Sequence, residues 1–129
     1  MVPRTRRAIV GRLSEFERLV EVGIGNRTEV AAALADAGKR VTATDVRPRE
    51  VPENVRFERD DVVDPDLALY RDADAVYALN LPPELHRPAR DLARRTDAAF
   101  LFTTLGGDPP AIPVARETIP GETMFVARE

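Results

Sequence analysis

The stretch that most limits the fold runs from Leu19 to Asp45. Leu19-Val20-Glu21-Val22 is a short β-prone run ended by Gly23 and Gly25. Val30, Ala33, Leu34 and Ala37 then recur at helical spacing up to Gly38, and Val41-Thr42-Ala43-Thr44-Asp45 is a second β-prone run. Strand, glycine turn, helix and strand in that order make a βαβ unit, whose two strands must lie parallel with a right-handed crossover. Local signals agree: Asn26 with Glu29 reads as a capping pair at the start of the helix, and Gly38 suits the left-handed residue that ends one.

The rest of the chain extends this pattern. Ile9, Leu13 and Phe16 place an amphipathic helix over about Arg4 to Phe16, and Val55-Arg56-Phe57-Glu58 reads as a third strand after the Pro48 and Pro52 loop. Asp64-Pro65 has the grammar of a helix start leading into Leu67, Ala68 and Tyr70, in a segment of barely two turns. Ala75-Val76-Tyr77-Ala78-Leu79 and Ala98 to Thr103 are continuous apolar runs suited to central strands, with a helix from Pro83 to Arg95 between them. Pro88 requires that helix either to begin near Arg87 or to kink. After Gly106-Gly107-Asp108-Pro109-Pro110, two short runs flank Pro120-Gly121 as a hairpin at the edge of the sheet. The expected fold is α/β, a three-layer Rossmann-like arrangement of a mainly parallel sheet with helices on both faces and a C-terminal antiparallel hairpin. We expect one domain over residues 1–129, with an N-terminal helix (1–17), alternating strands and helices (18–105), and a loop and hairpin (106–129).

Composition removes several kinds of chemistry. There is no cysteine and one histidine, so thiol catalysis, disulfides and Cys- or His-rich metal centres are excluded, and no metal is expected. No apolar run approaches the roughly 18 residues that span a bilayer, and the first residues lack a signal-peptide pattern, which leads us to expect a cytoplasmic protein with no membrane role. The net charge of −3 gives no reason to expect nucleic acid as a partner, and Arg4, Arg6, Arg7 and Arg12 read as a solvated helix face.

In a doubly wound sheet, ligands collect beyond the carboxyl ends of the strands, which selects Gly23 to Thr28, Asp45, Asp60 to Asp64, Asn80 to Pro83 and Thr104 to Asp108. Glycines let the backbone turn and approach a ligand, and the helix that follows presents unpaired amides. Asp45, 20 positions after Gly25, stands where an acid can accept hydrogen bonds from both ribose hydroxyls. The competing reading makes the glycines a packing device, with Asn26 as a cap and Asp45 as a solvated turn residue. A dinucleotide fingerprint would place glycine at position 28, where this chain has Thr28, so NAD ranks second. A nucleoside site also needs room, roughly 300 Å³ or more beside Gly23 and Asp45.

Glu21-x-Gly23-x-Gly25 resembles the first motif of class I S-adenosylmethionine-dependent methyltransferases, with Arg27 where that motif has a further glycine. The resemblance implies a truncated methyltransferase-like core that binds S-adenosylmethionine or a related nucleoside through Glu21, Gly23, Gly25, Asn26, Asp45 and Asp61. The run from Tyr77 to His86 and the terminal hairpin are also similar to a family of small archaeal proteins with a methyltransferase-like Rossmann domain. Asn80-Leu81-Pro82-Pro83 partly resembles the Asn-Pro-Pro-aromatic motif of amino-group methyltransferases, with Leu81 inserted and Glu84 in place of the aromatic. Asn80, His86 and Asp108 are the candidate catalytic side chains. Only the first helix and short loops are available to cover a substrate, so water exclusion is expected to need a partner or a homodimer. The alternative to a methyltransferase is a noncatalytic nucleotide-binding or protein-interaction scaffold, or an NAD-binding domain.

Overall fold

The computed structural model describes residues 1–128. The elements are α1 (Pro3–Leu13), β1 (Arg18–Val22), α2 (Glu29–Asp36), β2 (Arg40–Asp45), β3 (Arg56–Arg59), β4 (Ala75–Ala78), α3 (His86–Arg95), β5 (Ala99–Phe102), β6 (Val114–Ile119) and β7 (Glu122–Ala127). They form one seven-stranded sheet in the order β3-β2-β1-β4-β5-β7-β6. The four pairings among the five strands from β3 to β5 are parallel, and β7 runs antiparallel to both β5 and β6. This is the expected three-layer Rossmann-like fold with a hairpin on its edge.

The strand period of two sorts the side chains into two cores. Leu19, Val41, Ala43, Tyr77, Leu101 and Met124 pack with Ile9 and Leu13 of α1 and Val30, Ala31 and Leu34 of α2 on one face. Val20, Val22, Val76, Phe100, Phe102 and Phe125 pack with Ala89, Leu92 and Ala93 of α3 and with Tyr70 on the other. β4 is buried at all four positions, as its unbroken apolar run requires.

Two local expectations are corrected. Between β3 and β4 the chain makes one 3₁₀ turn, Leu67–Leu69, and its cap is Asp66, whose side chain accepts the Ala68 N–H (3.1 Å), rather than Asp64. α2 starts with Thr28 at its cap position and no side-chain cap bond, so Asn26 and Glu29 do not form a capping box; Asn26 lies outside the first turn and faces Arg49. For Pro88 the first alternative holds: after a 3₁₀ turn at Pro83–Leu85 the helix α3 begins at His86, next to Arg87, which leaves Pro88 in the first turn, where its missing N–H is not needed. Among the described residues no helix is long and apolar enough to cross a membrane.

Candidate functional site

The glycine turn leaves β1 at the carboxyl end of the parallel strands. Gly23 (φ +68°) and Gly25 (φ +59°) both take the left-handed conformation that side chains disfavour. A Cβ at either would meet nothing within 4 Å, so close packing does not explain either glycine. Between them Ile24 turns into the core, and its N–H donates to Thr44 O (3.0 Å), which ties the turn to the end of β2. Both glycines thus border open space at the end of a rigid sheet.

Asp45 fastens the other side of the turn. Its Oδ2 accepts the Gly25 N–H (2.8 Å) and its Oδ1 the Arg47 N–H (3.0 Å). The Arg49 Nε lies 3.4 Å from Oδ2, while Arg49 Nη1 donates to Asn26 Oδ1 (3.1 Å). Burial pushes the Asp45 carboxyl up, but the amides of Arg47 and Gly25 and the Arg49 guanidinium outweigh it and hold it below its ordinary value. Sequence reasoning assigned Asp45 to a ligand and missed Arg49, which closes over the same carboxylate. The available signal was a cation four residues after the strand-end acid, returned by the Pro48 turn.

Glu21 points into the face covered by α1 and α2, where it is buried, and its Oε1 accepts the Tyr77 hydroxyl (2.7 Å). Burial pushes its carboxyl up to about 8, with Glu29 adding to the rise and the Tyr77 bond opposing it. Glu21 is therefore mostly a neutral acid at pH 7. With Gly23, Arg6, Arg27 and Asn80 it lines a cavity of about 190 Å³. That cavity is smaller than a nucleoside site requires and does not extend to Asp45. Asn80, two residues past β4, has φ +55°, and in the amide orientation that suits its neighbours it donates to Thr104 O (3.3 Å) and accepts from Arg27 Nη1 (3.2 Å). None of Tyr77, Arg6 and Arg27 is a candidate from the sequence: Tyr77 looks like one more core residue of an apolar strand, Arg6 like part of a solvated helix face, and Arg27 like a departure from the glycine motif.

The remaining candidates are dispersed. Asp61 is exposed and its Oδ1 accepts the Val63 N–H (3.0 Å). Its neighbour Asp60 takes the Tyr70 hydroxyl (2.5 Å) and the Asp66 N–H (3.0 Å). His86 is fully buried: Nδ1 accepts the Ala111 N–H (2.9 Å), which leaves Nε2 to donate to Leu81 O (2.9 Å). With no exposed surface and no free ring nitrogen, His86 joins α3 to the two loops around it and cannot exchange protons with a substrate. Asp108 lies beside a different cavity, with Thr104, Arg116 and Phe125. Among the described residues no group of three or more His, Asp or Glu side chains is placed to hold a metal ion.

Comparison with solved structures supports the same architecture. An RNA methyltransferase from Salinibacter ruber in complex with S-adenosyl-L-homocysteine is 15% identical with a TM-score of 0.68, the match covering 98% of this chain and 92% of that one. A TehB-like SAM-dependent methyltransferase from Corynebacterium glutamicum is 15% identical with a TM-score of 0.64, covering 98% and 86%. At such identities the likeness is one of fold. By sequence, a UPF0146 protein of Halobacterium salinarum is 55% identical over 118 residues, 91% of this chain and 92% of the relative. A second, from Archaeoglobus fulgidus, is 45% identical over 91 residues, 70% of each. A family model described as "Uncharacterised protein family (UPF0146)" matches residues 5–129, and the chain belongs to that family.

Proposed function

We propose that this chain binds S-adenosylmethionine or S-adenosylhomocysteine across the ends of β1 and β2. The observation that carries the reading is the pair of left-handed glycines facing open space, one of them bonded to the acid that ends the next strand. In this reading the backbone at Gly23 and Gly25 lies beside the amino-acid portion of the ligand, and Asp45 accepts from the ribose hydroxyls. Of the three contacts on Asp45, the one from Arg49 can be exchanged for a ribose without unmaking the turn, because it alone comes from a side chain. The Salinibacter ruber RNA methyltransferase of like fold, which is in complex with S-adenosyl-L-homocysteine, supports this choice of ligand.

The alternative of a protein-interaction scaffold without chemistry is favoured by the small cavity and by the Arg49 contact, both of which require rearrangement before a nucleoside can seat. Asn80 is the candidate catalytic residue that remains, since it lines the cavity shared by Glu21 and Gly23. Calorimetry with S-adenosylmethionine, S-adenosylhomocysteine and NAD tests the binding. Dissociation constants in the micromolar range or below are expected for the first two, and no heat from either at millimolar concentration overturns the reading. Gly25→Val is expected to abolish the heat through its φ of +59° and the volume it adds to the open side of the turn. Transfer of labelled methyl groups to pooled small molecules, RNA or protein separates an enzyme from a binder.

A further inference from the structure

At the other end of the sheet, over the amino ends of β1, β2 and β3, lies a groove of about 480 Å³. It is open because the link from β3 to β4 supplies only the Leu67–Leu69 turn, where a full helix would cover the outer strands. The floor is sheet, and residues 68, 69, 72 and 73 form the facing wall.

Three arginines rise from the floor. The register sets Arg18 opposite Arg40 and Thr42 opposite both Val20 and Arg56, with neighbouring strands about 4.8 Å apart. Val20 packs into the core under α3, and in-register partners share a face, so Arg18, Arg40, Thr42 and Arg56 stand together on that side. Like charges at directly paired positions repel one another. The surrounding carboxylates do not relieve this repulsion. Glu58 takes Arg56 (3.1 and 2.9 Å), Glu17 takes Lys39 (2.8 Å), and Asp74 accepts the N–H groups of Glu17 (3.1 Å) and Arg18 (2.9 Å). Among the described residues Arg18 and Arg40 form no ion pair, and neither does Asp72 on the facing wall.

We infer that this groove is a second binding site, for a small organic phosphate carrying free hydroxyl groups. Arg18 and Arg40 present two adjacent guanidinium forks to the phosphate oxygens, the geometry in which arginine binds oxyanions well. Thr42 adds a hydroxyl on the floor, and Asp72 accepts from the hydroxyls at the far side. A cavity of this size suits a molecule such as a sugar phosphate or a nucleoside monophosphate. The site lies at the opposite end of the strands from Gly23 and Asp45, so it does not depend on the ligand proposed there.

The test uses the full chain labelled with ¹⁵N and titrated with ribose 5-phosphate, inorganic phosphate and adenosine. Ribose 5-phosphate is expected to move the amide signals around Arg18, Arg40 and Arg56 with a submillimolar dissociation constant. Inorganic phosphate is expected to act at the same amides about tenfold more weakly, and adenosine not at all there. Arg18→Gln with Arg40→Gln should weaken the sugar phosphate by about tenfold or more, the loss of two charged hydrogen bonds. Asp72→Asn should remove its advantage over inorganic phosphate. All three side chains are exposed, and unchanged signals elsewhere will verify the fold. No response at millimolar sugar phosphate, an undiminished response in the double variant, or signals moving only around Gly23 and Gly25 would each overturn the inference.

Discussion

Replacing Glu21 by glutamine should change how stability depends on pH, in a direction opposite to that of a salt-bridged acid. In the folded chain the Glu21 carboxyl is raised from an ordinary 4.5 to about 8, first by burial and then by Glu29, against the Tyr77 hydrogen bond. Below pH 4.5 folded and unfolded chains both hold the proton, and the contribution of this group is fully present. As pH rises toward 8 the unfolded chain releases the proton while the folded chain keeps it, so stability falls by about 1.4 kcal/mol per pH unit. Above about 8 the loss is complete. From pH 5.5 to 7.5 the wild-type chain should therefore lose about 3 kcal/mol that Glu21→Gln does not lose. With a urea slope of about 2 kcal/mol per molar, that difference is about 1.5 M in midpoint. Glutamine keeps an oxygen for the Tyr77 hydroxyl and has no proton to lose. Far-UV circular dichroism in urea at pH 5.5, 6.5 and 7.5, taken as wild type minus variant so that the other titrating groups cancel, measures the effect. Two parallel lines would show that Glu21 is ionised in the folded chain and would refute the reasoning.

Arg49→Ala should tighten S-adenosylhomocysteine binding about fivefold, by removing the guanidinium that competes for Asp45; weaker binding in calorimetry would mean that Arg49 contacts the ligand itself. Gly121→Ala should destabilise the chain by about 2 kcal/mol, since φ there is +77° and the new Cβ would lie 2.5 Å from Thr5 Oγ1, the atom that donates to Pro120 O. Urea midpoints within experimental error of wild type would show that the hairpin can shift away from α1. If a homodimer rather than another partner supplies the cover, sedimentation should give twice the 14.3 kDa monomer mass, and Leu105→Glu, at an exposed apolar residue after β5, should return the monomer. A wild-type monomer at high protein concentration would exclude a second copy as the cover.

The fold was readable because this chain writes its periods clearly. The apolar runs of β4 and β5, the short β-prone run of β1 and the helical spacing of Val30, Ala33, Leu34 and Ala37 each determine one element. The crossover after β3 was less legible: Asp64-Pro65 looks like a helix start, but the tertiary contacts of Tyr70 with Asp60 hold the segment to a single turn. The candidate site was half legible. Glycine at positive φ and an acid at a strand end leave local signatures, and Gly23, Gly25 and Asp45 do come together. Tyr77 leaves none, because its role arises from the pairing of two separate strands, and Arg49 leaves only its spacing of four residues from Asp45. His86 shows the reverse error, since a residue type suited to proton transfer is fully spent on the Leu81 carbonyl and the Ala111 amide.

These contacts also decide which substitution is informative. Asp45 serves as the staple of the turn before any ligand arrives, through the Gly25 and Arg47 amides. Asp45→Ala would loosen the turn and remove the ribose acceptor together, so weaker binding could follow from either change. Arg49 separates them, because its removal frees the carboxylate while both backbone bonds stay in place. If the free chain must release Arg49 before a nucleoside seats, the observed affinity is the intrinsic one multiplied by the fraction of molecules with that contact open. Arg49→Ala raises that fraction toward one and leaves the glycine turn alone. A scaffold that never receives a nucleoside has no such fraction to raise, and for it the same substitution changes only stability.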